Sequence, residues 1–279
     1  MVGVWGCNIT PSGRFTRKAI LVFIALLVFQ NVLQGQDSSG LNFTMQDVLA
    51  HNDYQKDEPF HHAYQHRVGI MEADLYYDQN QVWVAHDPSE LGFKRKLETL
   101  YLQPLREKIA RFGKPYPEEN HSLVLMLDIK NESDRIMSWI ISLLDEYPDI
   151  FGEENRTPPH VYLVISGDRP TPDTWASLPA SIKIDGRLTD QIPRELRDRI
   201  HMVSSSFQSV IPGHFDRKTG LSNDQMVAIQ KTIRSVHDQN LKIRFWGVPD
   251  EYSYWKLQDE WGIDIVGCDH LDELASHLD

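Results

Sequence analysis

LVLMLDIK (residues 123–130), DRIMSWIISLLDEYP (134–148) and HVYLVISGD (160–168) are consecutive, and together they decide the fold. The first and third are short apolar runs rich in Leu, Val and Ile, as buried strands are. Between them the apolar residues recur with helical spacing. Strand, helix, strand is the unit of a parallel sheet, because two parallel strands need a long crossover between them.

Working outward, the same kind of run recurs at VLAHNDY (48–54), GIMEADLYY (69–77), VWVAHD (82–87), SIKIDGR (181–187), HMVSSSF (201–207), LKIRFWGVPD (241–250) and DIVGCDH (264–270). Helical spacing returns in LSNDQMVAIQKTIRSVHDQN (221–240) and EYSYWKLQDEWG (251–262). If VWVAHD extends or pairs with the run before it, eight β/α units remain, which predicts a single-domain TIM (β/α)8 barrel. A doubly wound open sheet is the alternative, but its usual Gly-rich first turn is missing.

The N-terminus differs in kind. Arg14, Arg17 and Lys18 precede the apolar stretch 19–29, and polar residues follow. That order predicts a secretory signal peptide over 1–35, a barrel domain over 36–279 and an exported protein with no membrane span after cleavage. An uncleaved anchor is the alternative. Removing 1–35 takes away three basic and no acidic side chains, so the net charge moves from −12 to −15. Such a surface does not favour nucleic acid or anionic membranes. With Cys7 gone, Cys268 has no partner for an intramolecular disulfide.

Residues i and i+2 of a strand share a face. Glu72 with Asp74, Asp128 with Lys130, Asp185 with Arg187, Ser204 with Ser206, and Arg244 with Trp246 are such pairs, each toward the C-terminal end of its run. In a (β/α)8 barrel that end is the active-site mouth. Glu72, Asp74 and Asp128 offer three oxygen ligands suited to Mg²⁺ or Ca²⁺, with Lys130 beside them. A purely structural ion pair is the competing reading of these charges. His51 and His86 bracket the acidic pair and can share one proton-transfer cycle, one as base and one as acid. Arg187 and Arg244 suit phosphate oxygens or can neutralise a neighbouring carboxylate. Trp246 fits a substrate headgroup or barrel packing equally. Asp269 and His270 can reach the mouth from the last strand. His61, His62 and His66, in HHAYQH, have the look of a metal cluster, but their helical spacing after Pro59 favours a solvated or packing role.

The segments HNDY, EAD, VAHD and LDIK resemble the phospholipase C-like phosphodiesterases, which include glycerophosphodiester phosphodiesterases and sphingomyelinase D enzymes. The resemblance spans about residues 48–270. It implies a TIM barrel with one divalent cation, two catalytic histidines matching His51 and His86, metal carboxylates matching Glu72, Asp74 and Asp128, and a phosphate-contacting lysine matching Lys130. The expected activity is a phosphoric diester hydrolase acting on a small-molecule or lipid phosphodiester. A catalytically silent barrel that binds a phosphorylated ligand is the alternative function. A metal-dependent glycosidase would leave Lys130 without a task.

Overall fold

The computed structural model describes residues 40–119, 121–152 and 160–278; the predicted signal peptide lies outside them. Among the described residues nine strands form one sheet: β1 (Val48–Ala50), β2 (Ile70–Asp78), β3 (Gln81–Val84), β4 (Leu123–Ile129), β5 (Val161–Gly167), β6 (Ile182–Arg187), β7 (Ile200–Ser206), β8 (Ile243–Trp246) and β9 (Val266–Cys268). Eight run parallel in the order β8-β7-β6-β5-β4-β2-β1-β9, and β3 folds back antiparallel on β2. A single parallel bridge, Arg244 to Ile265, joins the two ends of that order. This nearly closed sheet, with helices between its strands, is the TIM barrel expected from the sequence. The hairpin explains the arithmetic: VWVAHD pairs with the strand before it, leaving eight parallel strands.

The strand residues divide their apolar side chains between two cores. Leu49, Ile70, Val124, Met126, Val164, Met202 and Ile265 pack together inside the barrel. Their strand neighbours, such as Met71, Ala73, Leu125, Leu127 and Leu163, face the helices in the larger outer core. Full burial of each such side chain stabilises by roughly 1.5–3 kcal/mol, so the alternation fixes which residues point inward. Ile70 points inward, and therefore so do Glu72 and Asp74; Val124 and Met126 likewise place Asp128. The inner apolar plug thus ends where the polar layer begins.

Helix Ser133–Glu146 buries Ile136, Met137, Ile140 and Leu143, the stripe that its spacing predicts. Helix Asn223–His237 starts with a capping box between Ser222 and Gln225, satisfying donors that the first turn would leave orphaned. No helix among the described residues is long and apolar enough to cross a membrane.

Candidate active site

The polar layer sits on the C-terminal ends of the strands. β2 and β4 are in register with Asp74 opposite Asp128, which brings the EAD and LDIK carboxylates together. Ligand oxygens of Glu72, Asp74 and Asp128 all lie within 4.8 Å of one another. Glu72 and Asp74 are buried, at 4% and 1% exposure. Burial holds the carboxyls of Glu72 and Asp128 above the usual carboxylate range, although Arg244 and His51 pull Glu72 back down and Lys130 does the same for Asp128.

Asp74 shows how the cluster is organised. Its Oδ2 accepts from Tyr54 Oη (2.9 Å) and from Lys130 Nζ (2.9 Å), and His86 Nδ1 lies 2.7 Å away. Its Oδ1 is buried with no hydrogen-bond partner among the described residues. A buried carboxylate oxygen without a donor is costly. A divalent cation shared with Glu72 and Asp128 would satisfy it, so the donor set fits a hard, oxygen-ligated metal. Lys130 also approaches Asp128 Oδ2 at 3.3 Å; burial opposes its charge, but the two carboxylates outweigh burial and raise its pKa.

The two histidines are held in the same manner. His51 follows β1, and its backbone N–H continues the ladder to Cys268. Asn52 then turns in the left-handed region (φ 48°), which Asn tolerates, and its N–H donates to Glu72 Oε2 (3.2 Å). His51 Nδ1 meets Asp269 Oδ2 at 3.1 Å, while its Nε2 lies 3.9 Å from Glu72. Burial works against the Asp269 charge, but hydrogen bonds from His51 and Lys56 outweigh it and pull its pKa down to about 2. An ionised Asp269 only accepts, so Nδ1 of His51 carries the proton and Nε2 is turned to the carboxylate cluster. The Asp269 hydrogen bond raises the His51 pKa against the opposing effect of burial. On the other side, His86 anchors Nδ1 on Asp74. Its backbone N–H donates to Glu90 (3.1 Å), and Glu90 is itself held by Arg95 (2.7 Å) and Gln55 (2.8 Å).

The remaining predicted residues separate. Arg244 is buried at 5% exposure, and its charge acts on both Glu72 and His51. Gly267 gives it room: a Cβ there would come within 3.4 Å of the Arg244 guanidinium. Arg187 instead binds the carboxylate of its own strand, Asp185 Oδ2, at 2.9 Å, and Ser166 donates to the same oxygen at 2.8 Å. Trp246 is half exposed, so it is not barrel packing. Four contributors had weak or no signal in the sequence. Asp269 was only one of several strand-end acids, Lys56 sits in an ordinary polar loop, and Tyr54 looks like core in HNDY. Gly167 is the fourth: it lies at φ +70°, and a Cβ there would fall 2.0 Å from Asp128 Oδ1.

Residues 41–172 match the family model described as the AIM6-like phosphodiesterase domain. That domain belongs to the phospholipase C-like phosphodiesterase class of TIM barrels, the class that the motif segments resemble. Among curated proteins the chain is similar to an altered inheritance of mitochondria protein 6 homolog of Arthroderma benhamiae, at 22% identity over 89% of this chain and 92% of that protein. It is also similar to altered inheritance of mitochondria protein 6 of Eremothecium gossypii, at 23% identity over 82% of this chain and 68% of that protein. The protein of that name from Lachancea thermotolerans is 24% identical over 83% of this chain and 65% of its own length.

Proposed function

We propose that this phosphodiesterase domain hydrolyses a glycerophosphodiester or phospholipid-type substrate, with His51 and His86 as its acid–base pair. One observation carries the reading: each imidazole is fixed through Nδ1 by a carboxylate, His51 by Asp269 and His86 by Asp74, on either side of the acidic cluster. Two oriented imidazoles serve proton transfer, whereas a protein that only binds phosphate needs charge and no such couple.

Glu72, Asp74 and Asp128 would hold one Mg²⁺ or Ca²⁺, which when bound neutralises phosphate charge as a Lewis acid. Lys130 supplies a fixed ammonium beside the same oxygens and orients the phosphate. Arg244 adds a second buried positive charge and offsets the burial of Glu72. His51, neutral at Nε2, takes the proton of the attacking hydroxyl or water, and Asp269 stabilises the imidazolium that forms. His86, protonated, gives its Nε2 proton to the leaving alkoxide. Trp246, half exposed at the rim, offers an apolar face to the alcohol portion. The chemistry is the same whether the attacking oxygen is water or a neighbouring substrate hydroxyl; the second route yields a cyclic phosphate first.

The test is a panel of phosphodiesters with different headgroups, assayed with Mg²⁺, with Ca²⁺ and with excess EDTA. Turnover that EDTA abolishes and either cation restores supports the reading. Full turnover in EDTA would remove the cation. Tight phosphate-dependent binding with no turnover across the panel would favour the silent binder.

A further inference from the structure

A second group of potential ligands lies outside the barrel mouth. His62 and His66 stand one turn apart on the segment formed by helix His61–Gln65 and the residue that caps it. The helix Leu271–Ala275 sets Asp272 against both of them. His62 Nε2 is 3.3 Å from Asp272 Oδ2, and His66 Nε2 is 2.7 Å from Asp272 Oδ1. The two imidazoles meet edge to face, with centroids 4.9 Å apart. The ligand atoms of all three residues fall within 4.8 Å of one another. We propose that His62, His66 and Asp272 bind a divalent transition metal of the zinc type, distinct from the hard cation of the carboxylate cluster.

The ligand chemistry separates the two sites. Imidazole nitrogens suit Zn²⁺ and its neighbours in the first transition row, while all-oxygen sets suit Mg²⁺ and Ca²⁺. Histidines at i and i+4 share one helix face, the spacing at which two imidazoles chelate a single ion. A tetrahedral metal with bonds of about 2.0–2.1 Å separates its ligand atoms by about 3.3 Å, so the three side chains would close on the ion from spacings of up to 4.8 Å. The bare cluster is a weak stabiliser: Asp272 is 81% exposed at its side chain, and exposed ion pairs contribute little. An ion converts that weak pairing into a strong one.

The histidine segment is also held in advance. Phe60 lies at φ 65°, ψ −53°, and the His61 N–H reaches back to Pro59 O at 2.8 Å, closing a γ-turn that is strained for a bulky residue. Buried Asp53 sustains it by accepting from the Phe60 N–H (2.7 Å) and from Tyr101 Oη (2.8 Å). The metal would therefore join two segments that the barrel leaves far apart in sequence. One begins at His51 and carries Lys56. The other carries Asp269, three residues before Asp272. Those segments already meet in the Lys56–Asp269 ion pair at 3.0 Å, so the metal would act as a clamp beside the His51–Asp269 pair.

Zinc binding to the full chain, stripped of metal and then held in excess Mg²⁺, tests this by calorimetry and by metal analysis after dialysis. Co²⁺ serves as an optical probe. The parent should retain a zinc equivalent, show the visible bands of nitrogen-bound tetrahedral Co²⁺, and melt at a higher temperature with zinc. His62→Gln/His66→Gln should lose that equivalent and those bands, while Glu72→Gln/Asp128→Asn should keep both. If the double histidine variant fails to fold, Asp272→Asn, altered at an exposed side chain, carries the same test. No zinc on the parent, or zinc held equally by Asp272→Asn and the double histidine variant, would overturn the proposal. None of these readouts depends on phosphodiesterase activity.

Discussion

Replacing Gly167 with alanine should damage the acidic cluster from a position that carries no side chain of its own. Two costs can be separated. Gly167 lies at φ +70°, where a residue with a Cβ is disfavoured by about 1–2 kcal/mol. Gly113 lies at φ +75° with nothing within 4 Å of a Cβ, so Gly113→Ala bears the conformational cost alone. At Gly167 the new Cβ would also fall 2.0 Å from Asp128 Oδ1 and 2.3 Å from Ile129 O. The carboxylate can rotate away, but the carbonyl cannot, because it accepts from Asp168 N at 2.8 Å in the junction of β4 and β5. Both Asp128 and the end of the strand must therefore shift. We expect Gly167→Ala to lose about 2–4 kcal/mol of stability, within the range for core overpacking and strained backbone. Gly113→Ala should lose only the conformational cost, about 1–2 kcal/mol. Urea denaturation of the two variants beside the parent measures the difference, and calorimetric titration with Mg²⁺ or Ca²⁺ measures the cluster. Cation affinity should fall in Gly167→Ala and stay at the parent value in Gly113→Ala. Equal stability losses with unchanged cation affinity would refute the argument that Gly167 makes room for Asp128.

Replacing either His51 or His86 with Ala should lower turnover by roughly 10²–10⁴, with much smaller changes in substrate affinity. The double variant should be little worse than the worse single, and parent-like turnover in both singles would end the assignment. Asp269→Ala removes both the hydrogen bond and the charge that raise the His51 pKa, so the acidic limb of the pH–rate profile should move to lower pH while turnover drops. A drop with an unmoved limb would make Asp269 a folding residue only. His201 gives a test of stability away from the site. Burial, with Lys242 and Lys183 nearby and only Asp185 opposing them, pushes its pKa down to about 4. An unfolded histidine takes its proton near 6.5, so the unfolded chain binds more protons between those values. The contribution of neutral His201 is complete above pH 6.5 and is lost as pH falls toward 4. In urea denaturation at pH 7 and pH 5, the parent should lose about 1–2 kcal/mol more than His201→Gln on acidification. Equal losses would mean that the folded and unfolded chains hold the His201 proton equally, against the lowered pKa.

The strand–helix rhythm is legible in the residues without the fold, because hydrophobic burial imposes periods of two and of about 3.6 that composition cannot hide. The residues also mark which strand ends are polar: Glu72 and Asp74 follow Ile70 at the strand period, and Asp128 follows Val124 and Met126. The placement of β3 was legible only as a condition on the count, since an antiparallel return and a further parallel strand look alike locally. What spans the closure of the barrel emerges only from the folded sheet. Asp269 reaches His51 from 218 positions away, and Asp272 reaches His62 and His66 from 210 and 206, because β9 pairs with β1. No local signal encodes such a meeting: the residues share neither helix nor strand, and only the shear of a closed sheet sets which of them face each other. The same holds for Arg187. Its own strand mate Asp185 takes it, whereas Arg244, with no carboxylate at the corresponding place, lies buried where its charge acts on Glu72.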